Sequence, residues 1–522
     1  MTSNKAFSPE PIVTLVNYFK DPFDNAVATA RTCYSSKVVW PEDVRRDEAA
    51  RQKRDHIAES IYWAGHHTTL QHATFQFALE RVSRQCIWSF LHSHPFYNSE
   101  QVSQRYVEVA PGHFSIPPLE GRAREIFEKT LQLQMEAYQR LLGELSPALM
   151  QQYKKVFPNR DPELKQWKSS LKKRAQEAAR YVLPVATHAH LYHTVSGLTL
   201  HRYHRLCEAF DAPIEQRLVV EQMIRAVDAV DPLFFKKIED VLPLDQTPEF
   251  RFFQGRPVSG VEAKTFVDEF DASLGTKTSK LVDYSVNAEG SLAAAVRAVL
   301  GLPSQALSDR EAIASVLDPS KNRQLGEALN LMAHGKLTRT LSHVHFTFRK
   351  KISHTADSQD QRHRMTPGSR PVLFGHFVAN RPDYILPAIF KESSAALETY
   401  TKTMEAVWKA ITDLLNAGAG HEAAAYLLPN AFPVRFHESG DLLNHHHKWT
   451  KRLCFNAQEE IWHMCRDEVA QVSDLFPEIG RFISAPCGLR AAAGLKPICP
   501  EGDRFCGVPV WRLPRESLER II

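Results

Sequence analysis

Apolar and polar positions alternate in two short runs that share a lettering. HATFQF (72–77) and HVHFTF (343–348) place an apolar residue at every second position, which predicts a strand with one buried face in each. Upstream of each, a short apolar run passes into an Ala-rich helical stretch. There TLVNYFKDPFDNAVATAR (14–31) lies over KLVDYSVNAEGSLAAAVR (280–297) without a gap, so that Leu15 matches Leu281, Val16 matches Val282, Tyr18 matches Tyr284 and Arg31 matches Arg297. Downstream, EAARYVLP (177–184) matches EAAAYLLP (422–429), a helix end halted by proline. Longer helical patterns fill 121–155 and 391–418. Three matches in one order make the chain a tandem duplication.

The pattern sets the expected organisation. A first repeat covers 1–244, a connecting segment rich in Gly, Pro, Ser and Thr covers 245–279, and a second repeat covers 280–480. The last stretch, 481–522, reads as an irregular tail carrying Cys487, Cys499 and Cys506, with no counterpart in the first repeat. Each repeat reads as α+β, with helices packed on a small mixed or antiparallel sheet. A length of 522 residues supports more than one core.

Composition changes this picture only by exclusion. A net charge of +4 gives no reason to expect a nucleic acid, while local Arg clusters leave an anionic small molecule open. No apolar run is long enough to span a bilayer and the start carries no signal-peptide pattern, so no membrane and a cytoplasmic location are expected. Eight cysteines without a CxxC pair suit a reduced protein rather than a disulfide framework.

Candidate chemistry lies in a few short strings. The first repeat contains GHHTTLQHATFQF (65–77) and NSEQVSQRY (98–106). Ser103 and Arg105, two residues apart, can both reach one phosphate, the guanidinium through a bidentate fork. The second repeat contains QDQRHRMTPGSRP (359–371), whose Arg362-His363-Arg364 triplet concentrates cationic donors before a Pro/Gly turn. Taken alone, an RHR triplet also reads as a solvated basic loop, and a lone His at a strand edge as structural.

Together the strings resemble the flavin-dependent thymidylate synthases, whose pattern runs GH-x-T-x-x-[EQ]-H, RHR, N-E-x-S-x-R-Y, A-R-x-x-L-P and L-R-x(4)-AQ-x-EI. This chain supplies GHHTTLQH at 65–72, NSEQVSQRY at 98–106 with extra residues, ARYVLP at 179–184, RHR at 362–364 and KRLCFNAQEEI at 451–461. The resemblance covers most of both repeats. The departures are complementary. The first repeat keeps His66, Ser103, Arg105 and Arg180 but has His92-Ser93-His94 for RHR, Ser89 for the Gln three residues before it, and Cys207 in place of Arg452. The second keeps Gln359, the RHR triplet and Arg452. It has Gly335-Lys336 in place of the GH pair, MTPGSRP in place of the phosphate loop, and Ala425 in place of Arg180.

The resemblance implies one composite active site between the repeats and a thymidylate-synthase-complementing-protein-like unit repeated twice. It implies FAD as cofactor, with methylenetetrahydrofolate and NAD(P)H as co-substrates, and deoxyuridylate as the molecule methylated. By the same resemblance Arg452, Gln359, Ser103 and Arg105 are the candidate catalytic residues. Gln101, Ser103, Gln104, Arg105, Tyr106, Arg180, Gln359 and Arg452 would hold the substrate. His66, Thr68, Gln71, Arg362, His363, Arg364 and His447 would face the cofactor. No protein nucleophile is implied, so the residues orient and polarise. The family's tetramer of single units implies a homodimer of this chain.

Three rival readings stand beside it: a non-catalytic flavin- or nucleotide-binding protein, favoured by the eroded motifs; a related transferase acting on another pyrimidine nucleotide; and a metal site. The last would draw on Asn444-His445-His446-His447 and on Cys454, Cys465, Cys487, Cys499 and Cys506. Those spacings match no standard zinc pattern and successive His residues on a helix point apart, so no metal is expected.

Overall fold

Phe75, Phe77 and Leu79 on one strand, and Phe346, Phe348 and Ile352 on another, turn to the interior as their alternation requires. The computed structural model describes residues 7–158, 161, 164–209, 211–236, 239–254 and 260–520. It contains two four-stranded antiparallel sheets. The first has the order β1-β2-β4-β3, with β1 Ile12–Tyr18, β2 Thr74–Ser83, β3 Tyr97–Gln101 and β4 His188–Ser196. The second has the order β5-β6-β8-β7, with β5 Ser279–Tyr284, β6 His345–Ser353, β7 Gly368–Ser369 and β8 Pro433–Asp441.

The sheets match in detail. Each edge strand shifts register at the same place, between Leu15 and Asn17 in β1 and between Leu281 and Asp283 in β5. One difference is a bulge in β2 between Leu79 and Val82, where Arg81 takes a left-handed φ of 55°. It makes β2 one residue longer than β6. Past it, both strands end on a serine that caps the next helix: Ser83 accepts from Cys86 N and Ser353 from Ala356 N.

The chain forms two compact units that do not follow the repeat boundary. Unit one comprises 1–133, 184–258 and 409–428; unit two comprises 134–183, 259–408 and 429–522. Each unit thus includes a segment of the other copy's sequence, ending at the matched ARYVLP and AAYLLP strings. The segment 245–279 contains helices Pro248–Phe253 and Val261–Leu274, while 255–259 lie outside the described residues.

A buried clasp recurs in both units. In unit one, Glu215 accepts from Ser83 N at 2.7 Å, from Ser83 Oγ at 2.5 Å and from the Tyr426 hydroxyl at 2.5 Å. In unit two, Glu460 accepts from Ser353 N at 2.6 Å, from Ser353 Oγ at 2.6 Å and from the Tyr181 hydroxyl. Both tyrosines come from the exchanged segments. Burial pushes both carboxyls up, against the pull of these hydrogen bonds.

The cores beneath the sheets differ in kind. Unit one is apolar and aromatic: Leu79, Phe90, Tyr203 and Met223 pack together, and His193 Nε2 shares a 3.0 Å hydrogen bond with the Tyr203 hydroxyl. At the corresponding positions unit two has Lys350, Asp360, Lys448, Glu468 and Glu438, all buried. Lys350 Nζ lies 2.7 Å from Glu438 Oε1 and 2.7 Å from Glu468 Oε1. Lys448 Nζ lies 2.6 Å from Asp360 Oδ2 and 2.5 Å from Glu438 Oε1. The two lysines hold Asp360 and Glu468 below the usual carboxylate range, whereas burial among the other acids pushes Glu438 up. Lys350 sits on the β6 face that alternation assigns to the core, where it is tolerable only because the carboxylates meet it.

Candidate functional site

Unit two gathers the second copy's motif residues with one from the first copy. Gln359 is near the end of helix His354–Asp360, and Arg362-His363-Arg364 form the turn that follows. Asp360, between them, is held by Lys448, so the ionic core anchors this turn. Arg452 ends helix Leu442–Arg452, which starts at the Asp441 cap directly after β8. Its Nη2 donates to the Gln359 backbone carbonyl, tying the two helix ends together.

Gln458 is the hub of the site. Its Oε1 accepts from Arg180 Nη2 at 2.7 Å and from Gln359 Nε2, while its own Nε2 donates to the Tyr181 hydroxyl. Arg180 is buried, and its carbonyl accepts from Asn430 Nδ2 at 3.0 Å. Arg180, Gln359, Gln458 and Arg452 thus form one connected set, with the Glu460 clasp behind it. The motif strings did not single out Gln458, Glu460 or Tyr181 as site residues. The signal was present, since Gln458 and Glu460 lie in AQEEI and Tyr181 in ARYVLP, but a motif string does not tell which members touch.

His363 and His447 stand side by side, ring centroids 5.9 Å apart and nearly perpendicular. Burial, reinforced by the cationic side chains of Arg452 and Lys448, drives His363 well below its ordinary value. Burial, with Lys451 and Arg452, lowers His447 to about 4. Both rings are therefore neutral at pH 7, each offering one donor and one acceptor nitrogen. Arg362 is exposed and Arg364 half-buried, so permanent positive charge flanks the neutral pair.

Unit one holds the remaining predicted residues. Gln101 ends β3 and accepts from Arg84 Nη1 at 2.9 Å, while Arg84 Nη2 donates to the Val102 carbonyl at 2.7 Å. The next residues wind into a tight turn: Arg105 N donates to Ser103 Oγ at 3.3 Å, and Tyr106 N and Val107 N donate to the Ser103 carbonyl. Gln104 is buried, Tyr106 is exposed, and the Arg105 guanidinium lies over the Tyr106 ring at 5.4 Å. His66, Thr68 and Gln71 are exposed around the short helix His67–His72. His66 lines a pocket of about 260 Å³ with Tyr62, Trp63, Leu70, His201 and Phe234. At the lost RHR position, His92 Nδ1 meets the Trp88 carbonyl and His94 Nε2 the Tyr203 hydroxyl, so both rings are absorbed into packing.

No helix among the described residues is long and apolar enough to cross a membrane. The family model for thymidylate synthase complementing protein matches the chain twice, at residues 14–233 and 280–478. Curated proteins similar to this chain include the flavin-dependent thymidylate synthases of Clostridium tetani, 28% identical over 229 residues, and Geobacter sulfurreducens, 27% identical over 234 residues. Each match covers 43% of this chain and 85% of that protein. The flavin-dependent thymidylate synthase of Nitratidesulfovibrio vulgaris is 28% identical over 233 residues, with 86% of its length covered.

Proposed function

The chain belongs to the thymidylate synthase complementing protein family, whose unit it carries twice, and on that premise we propose a flavin-dependent enzyme with one site built from both copies. It would convert deoxyuridylate to thymidylate, with methylenetetrahydrofolate as carbon donor and NAD(P)H as reductant. The observation that carries this reading is the place of Arg180. The first copy's arginine lies within unit two, where Gln458 links it to Gln359 and Arg452. The second copy's own equivalent, Ala425, belongs to unit one. A chain whose copies had each drifted at random has no reason to keep this arginine where it meets the other copy's motif.

The donor set fits a flavin. Arg362 and Arg364 offer permanent charge for a diphosphate, and the neutral His363 and His447 offer hydrogen bonds to the polar rim of a planar ring. Bound there, FAD supplies the redox chemistry and the one-carbon relay. The protein's own residues would orient and polarise. Arg452, fixed through the Gln359 carbonyl, would stabilise negative charge developing on a uracil oxygen. Arg180, positioned by Gln458, would hold the nucleotide; Ser103 and Arg105 match the family's phosphate-binding string. His363, kept neutral, would face the cofactor without adding repulsion to its arginine neighbours. A homodimer would present two such sites.

The test is an assay of purified protein with deoxyuridylate, methylenetetrahydrofolate, NADPH and FAD. Arg180→Ala and Arg452→Ala are each expected to lower kcat/KM by 10²-fold or more while the flavin absorbance bands persist, a loss of about 3 kcal/mol of transition-state binding. Full turnover in Arg180→Ala would remove the observation on which the composite site rests. A wild-type protein binding neither flavin nor deoxyuridylate would end the enzyme reading.

A further inference from the structure

Five cysteines lie in the last 70 residues, and four of them meet. Cys454, Cys487, Cys499 and Cys506 line one small cavity of about 10 Å³, room for a single atom-sized guest. The rest of its wall is largely apolar, with Phe455, Pro486, Pro500, Phe505 and Val510. All four of these cysteines border that one space. Cys465 is not among them; it is buried beside Glu468 and Lys448.

The surrounding chain has little regular structure. Residues 481–520 contain no strand, and their longest helix, Pro486–Ala492, has 7 residues. Ile483, Leu489, Leu495, Val510 and Leu518 are buried, and polar contacts such as Asn456 Nδ2 to the Arg504 carbonyl at 2.6 Å and Arg490 Nη1 to the Gly326 carbonyl at 2.8 Å add to them. A segment with so little regular structure gains from a cross-link that ties its turns together.

We propose that Cys454, Cys487, Cys499 and Cys506 form a four-thiolate site for a soft or borderline divalent cation, Zn²⁺ being the natural occupant. Four sulfur ligands in an apolar wall select such an ion over Mg²⁺ or Ca²⁺. Among the described residues no three His, Cys, Asp or Glu side chains already stand ready around one point, so the ion would have to draw the sulfurs inward. Binding releases up to four thiol protons to solvent and changes no oxidation state. The linear spacing, with Cys454 33 residues before Cys487, conceals the site; only the tail's return to the Arg452 helix assembles it.

The ion would clamp a functional loop as well as the tail. Cys454 lies two residues past Arg452 and four before Gln458, so it sits on the segment joining two members of the candidate site. The occupied site would fix that loop against the tail. This role is independent of whether the flavin reading holds.

The test uses the full chain, expressed with zinc and dialysed exhaustively. Elemental analysis should find one zinc per chain. After metal stripping, Co²⁺ alone should restore the intense thiolate-to-cobalt charge-transfer absorption of a tetrahedral sulfur site. Cys487→Ser and Cys506→Ser should each retain less than a tenth of the metal, whereas exposed Cys33→Ser retains it all. Should a serine variant fail to fold, the cobalt titration of the wild-type chain decides alone. Substoichiometric zinc with no charge-transfer band, or disulfides mapped among these four cysteines in freshly isolated protein, would overturn the proposal.

Discussion

Replacing Lys448 by Met should destabilise unit two far more than replacing Glu438 by Gln, although the two side chains touch. Lys448 Nζ lies 2.6 Å from Asp360 Oδ2 and 2.8 Å from Glu438 Oε2, with no solvent in reach. Without it, three buried carboxyls face Lys350 alone, and Asp360 keeps that lysine only at 3.7 Å. Removing one partner of a buried ionic set costs about 3–5 kcal/mol, because the stranded charge must be neutralised or hydrated. For a unit of this size that lowers the melting temperature by roughly 6–10 °C. Glu438 is the carboxyl that burial pushes up, so a neutral, isosteric Gln should cost about 1 kcal/mol. Unit one supplies a further arm. Lys350→Leu, Asp360→Phe, Glu438→His, Lys448→Tyr and Glu468→Met together transplant its apolar core and should recover most of the loss. Differential scanning calorimetry of the full chain, resolving the unit transitions, is the assay. Equal losses for Lys448→Met and Glu438→Gln, or a Lys448→Met shift under about 2 °C, would refute the view that the network is held by its lysines.

Other outcomes follow from the same geometry. Tyr181→Phe and Tyr426→Phe each remove one hydrogen bond to a buried glutamate, so urea unfolding should show comparable losses of about 1–3 kcal/mol; a loss in only one would contradict the clasp's equivalence. His445 and His446 are buried and neutral, lowered by burial to about 3 and about 4. Since these folded values lie below the unfolded one, near 6.5, the stability is present above it and lost as pH falls. By pH 5 each ring should cost about 2 kcal/mol, read as a fall in melting temperature from pH 7 to 5; a flat profile would disprove it. Arg81→Gly relieves a left-handed backbone and should be neutral to about 1 kcal/mol stabilising in denaturant titration, whereas Arg81→Val at the same bulge should destabilise.

Much of the fold was legible along the chain. Alternation at 72–77 and 343–348 gave the central strands of both sheets, because a period of two assigns each side chain to a face whatever lies opposite. The repeat predicted two equivalent units of α+β type, and the paired strand orders and register shifts agree with it. The candidate site was legible only as strings. Gln359 and Arg452 could be named from motifs, but the bond between them joins residues 93 apart. Arg180 and Gln458 are 278 apart.

What the sequence determined by itself is therefore periodic or local: which face of a strand is buried, and where a proline stops a helix. Tertiary structure decided the rest, because nothing local encodes the partner across a long closure. The ARYVLP string reads alike whichever unit receives it. Lys350 on a core-facing position reads as an error until Glu438 and Glu468 arrive from two distant segments. The exchange of 134–183 and 409–428 between the copies puts Arg180 beside Arg452's partners. Burial of a charged side chain is stable only when those partners meet it, and that condition is set by the fold as a whole.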